Sequence, residues 1–98
     1  MPFENSVAHA FTSNSIRAHA PAAPGVYGIT NAREWIYIGV ADDIRSVLLG
    51  HLGENRSQVM DRKPSGFVFE LRDQLERTSR QNRLVMEYEP FCNRNWKP

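Results

Sequence analysis

Ninety-eight residues make one small domain, because a second hydrophobic core needs a longer chain. A hydrophobic fraction of 41% and a charged fraction of 23% are ordinary for a soluble globular chain, and a net charge of +1 excludes the strongly basic balance of a dedicated nucleic-acid binder. No apolar run approaches the roughly 18 residues that cross a membrane, and a single cysteine excludes an internal disulfide.

Residues 1–21 read as an N-terminal helical segment packing on a domain of residues 22–98. Asn5 or Ser6 can cap a turn carrying Val7 and Phe11, and Ser13 can cap one carrying Ile16. The stretch APAAPG (20–25) breaks any helix, since proline cannot continue one and restricts the residue before it. GVYGIT (25–30) and EWIYIGV (34–40) are rich in β-branched and aromatic residues and flank a turn at Asn31–Arg33. They predict an antiparallel hairpin.

Asp42 or Asp43 then starts a helix whose apolar residues, Ile44, Val47, Leu48 and Leu52, recur along one face. Gly50 weakens it and Gly53 ends it. A polar stretch follows, with a short helix at Ser57–Arg62 before Pro64. FVFEL (67–71) alternates and predicts a third strand. A last helix runs from about Asp73 to Glu87 with Leu75, Val85 and Met86 as its apolar contacts, and Pro90 closes it. The order α, β, β, α, β, α places the chain in the α+β class. It gives a small three-stranded, largely antiparallel sheet flanked by helices.

Ten of the twelve basic residues are arginine, the side chain suited to bidentate phosphate contacts, and only Arg17 and Arg33 precede residue 44. Arg72, Arg77, Arg80 and Arg83 spread over several helix faces and read as solvated surface. Cys92 reads as a small half-buried residue with no Cys/His zinc spacing around it. With that single cysteine a reducing cytoplasm is expected, and the start MPFENSVAHAF lacks the basic residues and apolar core of a secretory signal. Trp35 and Trp96 are expected to cover the sheet or the N-terminal segment.

The two predicted strands hold Gly25-Val26-Tyr27 and, ten residues after that tyrosine, Tyr37-Ile38-Gly39. Together with Pro90-Phe91-Cys92-Asn93 after the last helix, they resemble the signature of the GIY-YIG nuclease superfamily over about three-quarters of the chain. That resemblance implies metal-assisted phosphodiester hydrolysis. It also implies two cleft tyrosines that orient the attacking water, an arginine on the helix after the hairpin, a glutamate on the last helix that holds a divalent ion, and a closing asparagine. The arginine stabilises charge that gathers on the phosphate in the transition state, and the metal adds Lewis-acid stabilisation.

Carried over position by position, the resemblance makes Tyr27, Tyr37, His51 and Asn93 the retained cleft residues. His51 matches the histidine that often follows the family arginine by one helical turn. The arginine position itself holds Val47, and the glutamate position holds Gln81. Arg45 lies about 160° from Val47 around the helix and faces away. Gln81 keeps a carbonyl oxygen but loses the charge that a hard cation prefers. Arg45, Arg80 and Arg83 are the candidate nucleic-acid contacts.

Three functions remain open. The first is a degenerate, catalytically impaired module that binds nucleic acid or serves as an accessory. The second is a divergent DNA endonuclease, which alone would require magnesium or manganese. The third is a protein-interaction domain. DNA or another nucleic acid and a protein are the candidate partners; no cofactor and no membrane are expected.

Overall fold

The computed structural model describes residue 3 and residues 7–53 and 58–93. The expected turn at Asn5–Ser6 and Trp96 lie outside them. Four strands form one antiparallel sheet in the order β1-β4-β2-β3: β1 is His9–Ala10, β2 Gly25–Thr30, β3 Trp35–Ala41 and β4 Gly66–Leu71. The three expected strands are present, and β1 corrects the count to four. It adds only the pairs His9 with Phe67 and Ala10 with Gly66, too short to leave an alternation in the sequence.

Among the described residues four helices accompany the sheet: α1 (Ser13–His19), α2 (Ile44–Gly53), α3 (Gln58–Asp61) and α4 (Arg77–Tyr88). Thr12, rather than Ser13, caps α1, its hydroxyl accepting the Ser15 N–H at 3.2 Å. Asp43 does the same for α2 through the Ser46 N–H at 3.0 Å. No described helix is long and apolar enough to cross a membrane.

The period of two along β2 sends its side chains to two cores. Tyr27 and Ile29 join Phe11, Ile16, Ile44, Leu48 and Phe67 under α1 and α2. Val26 joins Ile38, Val68 and Leu84 under α4, with Trp35 stacked on Tyr88 beside them. A strand buried on both faces reads as a continuous apolar run, as GVYGIT does. The hairpin turn is held by Asn31, whose Oδ1 accepts the Arg33 and Glu34 N–H groups at 2.8 and 2.9 Å.

The last helix departs most from expectation. Asp73 forms a side-chain turn with the N–H groups of Leu75 and Glu76, so the helix starts only at Arg77. Leu75 and Met86 are 91% and 79% exposed, while the buried residues are Arg80, Gln81 and Leu84. Arg80 grips Glu70 of β4 through Nε at 2.8 Å and Nη2 at 2.6 Å, and Arg72 adds a contact at 3.3 Å. Arg77 meets the Ala41 carbonyl at 2.8 Å and Asp42 at 2.6 Å. The arginine series is therefore largely internal to the fold, and only Arg83 stands exposed on the helix.

Candidate functional site

The β2–β3 register sets Tyr27 opposite Gly39 and Ile29 opposite Tyr37, so both tyrosines emerge on the α2 side of the sheet. Their ring centroids are 6.1 Å apart. The last turn of α2 lowers His51 onto both, at 5.7 Å from Tyr27 and 5.6 Å from Tyr37. Tyr27 Oη and His51 Nε2 share a hydrogen bond of 2.8 Å. Gly39 makes this possible: a Cβ there would lie 2.6 Å from Tyr27 Oη and 2.7 Å from a Tyr37 ring carbon. Three of the four expected cleft residues, Tyr27, Tyr37 and His51, are thus brought together.

Burial pushes the Tyr27 phenol far above its ordinary value, with Tyr37 a smaller contribution in the same direction. Tyr37 is raised as well, chiefly by burial and secondarily by Cys92. Both phenols therefore stay neutral across the physiological range. The folded chain keeps the Tyr27 proton that an unfolded chain releases near pH 10. The linked stability is full below that pH and falls as pH rises beyond it. Tyr27→Phe is expected to flatten this decline in urea denaturation series between about pH 8 and 11. An unchanged slope would assign the decline to other groups.

The second half of the site lies along the outer edge of β3. Asn93, in a 3-10 turn at Phe91–Asn93, accepts the Ile38 N–H at 2.8 Å and donates Nδ2 to the Ile38 carbonyl at 3.1 Å. Its carboxamide pairs with the strand as a neighbouring peptide would. Gln81 Nε2 donates to the same carbonyl at 3.0 Å. A carbonyl only accepts, so the Gln81 atom facing it is the amide nitrogen.

This donor set does not fit the divalent cation implied by the family resemblance. Gln81 is buried and turns an N–H donor, not a charged oxygen, to its partner. Among the described residues no three His, Cys, Asp or Glu side chains gather into a cation-binding group. Calorimetric titration with magnesium or manganese is expected to show no tight site at Gln81. A tight single site that vanishes in Gln81→Ala would contradict this.

The remaining candidates lie apart. Val47 is half-buried against the α2-side core, one turn before His51. Arg45 is half-buried and donates Nε to the Ala20 carbonyl at 2.9 Å, turned toward α1. Arg80 is committed to Glu70, which corrects its assignment to a solvated face. Arg83 is exposed on α4. The three arginines do not converge on the tyrosines.

Sequence reasoning missed what borders the cleft beyond Tyr37. Arg62 places its guanidinium 3.9 Å over the Phe91 ring and bonds Glu34 Oε2 at 2.6 and 3.0 Å. Burial pushes the Cys92 thiol up, Arg62 pulls it down, and Glu34 and Asp61 push it up again, so these groups are its neighbours. Phe91 and Cys92 stand between the proline and asparagine of the closing motif, the one sequence signal for this wall.

No protein-family model matches the chain, and a search of curated proteins gave no match. Solved structures do match. The GIY-YIG N-terminal endonuclease domain of UvrC from Thermotoga maritima, bound to its catalytic divalent cation, magnesium, aligns with a TM-score of 0.68 and 26% identity, covering 80% of this chain and 94% of that one. Two point mutants of that domain, each bound to a catalytic divalent cation, align with a TM-score of 0.67 over 80% of this chain and 93% of theirs, at 26% and 25% identity.

Proposed function

Because this chain carries the GIY-YIG superfamily fold, we propose that it is a degenerate member that binds nucleic acid, or serves as an accessory module, without hydrolysing it. The observation that carries this reading is the Gln81 amide spent on the Ile38 carbonyl where the family resemblance calls for a carboxylate. Val47 adds to it, since a half-buried valine offers no fixed charge to a developing phosphate. Loss of one such group typically lowers a rate by about 10²–10³. Nucleic acid is the natural ligand because the matching domain is an endonuclease and this cleft keeps both tyrosines.

One observation favours the alternative, a divergent metal-dependent DNA endonuclease: Tyr27 and His51 share a hydrogen bond of 2.8 Å beside Tyr37. Anisotropy titrations with labelled single- and double-stranded DNA, from about 50 to 200 mM salt, test the binding reading. Binding that weakens as salt rises supports it. No binding to either form at low salt would contradict it and leave a protein-interaction domain.

A further inference from the structure

We propose that the tyrosine cleft takes an unpaired nucleobase rather than a phosphodiester link, which makes the domain a reader of single strands. The inference rests on the nucleic-acid reading above and names the part of the ligand that enters. Three aromatic rings, Tyr27, Tyr37 and His51, lie within 5.6–6.1 Å of one another, and Tyr37 and His51 are half-exposed. The positions that would supply a cation and a carboxylate hold Val47 and Gln81. Arg62 and Glu34 are bonded to each other, with the Arg62 guanidinium over the Phe91 ring.

A phosphate needs a fixed cation or convergent donors, whereas a base needs a π-face and neutral hydrogen-bonding groups. Among the described residues this cleft offers aromatic faces, those of Tyr37 and His51 half-exposed. The Arg62–Glu34 pair itself lines a groove of about 550 Å³, together with Asn31, Arg33, Lys63 and Ser65. Arg33 and Lys63 are exposed there and would meet the flanking phosphates of the same strand. A duplex would have to flip a base to reach the rings, which disfavours it.

The test uses three labelled ligands: a thymidine strand of about 12 nucleotides, its uridine counterpart, and an abasic strand of equal length and charge. The expected result is that the abasic strand binds at least about tenfold more weakly than one or both base-bearing strands, the two distinguishing DNA from RNA. Tyr37→Leu is expected to lose about five- to a hundredfold on the base-bearing strand and nothing on the abasic one, and Tyr37→Trp to recover binding. Should Tyr37→Leu unfold, the comparison of base-bearing and abasic strands on the natural chain still decides. Equal binding of both would overturn the base-binding cleft and leave nucleic-acid binding standing. Binding of none would overturn both.

Discussion

Arg80→Ala is expected to destabilise the domain by about 3–5 kcal/mol, because it strips a buried carboxylate of its bidentate partner. Glu70 is 3% exposed and also meets Arg72 at 3.3 Å. Domains of this size hold about 5–15 kcal/mol in total, so a sizeable unfolded fraction should be seen by circular dichroism. Replacing both partners, Glu70→Leu with Arg80→Met, should recover most of the loss, since an apolar pair needs no partner charge. A cost below about 1 kcal/mol for Arg80→Ala would show that Glu70 reaches water or another cation. Folded Arg80→Ala protein should also bind nucleic acid unchanged, because the guanidinium serves Glu70.

Val47→Arg combined with Gln81→Glu is expected to give weak manganese-dependent nicking of plasmid DNA, where each single change gives none. The pair restores a fixed cation for the phosphate and a charged oxygen for a hard metal, and groups that serve one transition state act together. Both changes carry a structural cost. Val47 packs beside Leu48, so the arginine stem must lie along the apolar stripe and bring its head out at the edge. Gln81→Glu removes the N–H given to Ile38 and sets a carboxylate beside that carbonyl, about 1–3 kcal/mol unless it swings outward. Swinging outward is what activity would require. A folded double variant that binds manganese yet leaves plasmid intact would show that more than two residues separate this cleft from a nuclease.

The parts of the fold legible in the sequence are those written in local patterns. The hairpin follows from β-branched runs around an Asn-initiated turn, and α2 from the spacing of Ile44, Val47, Leu48 and Leu52. Tyr27, Tyr37 and His51 come together because the strand register and one helical turn fix them. The inner face of α4 was hidden because partners distant in sequence satisfy it. Arg80 finds Glu70 ten residues away, and Gln81 finds Ile38 forty-three residues away. Apolar periodicity therefore points to Leu75 and Met86, which face solvent, as well as to Val85, which packs half-buried on the α4-side core. The two-residue strand β1 has no period to detect. The Arg62–Glu34–Phe91 wall depends on a loop meeting the closing turn, which only tertiary contact creates.

A cleft that binds nucleic acid without the arginine and glutamate implied by the family resemblance should hold DNA and leave it uncut. One experiment addresses this directly: incubation of the natural chain with plasmid and with single-stranded DNA in magnesium or manganese, beside a binding titration on the same DNA. Binding without strand scission, in either metal and unaffected by chelator, is the predicted result. Metal-dependent nicking that disappears in Tyr27→Phe and in His51→Ala would contradict the account and make this chain a working endonuclease.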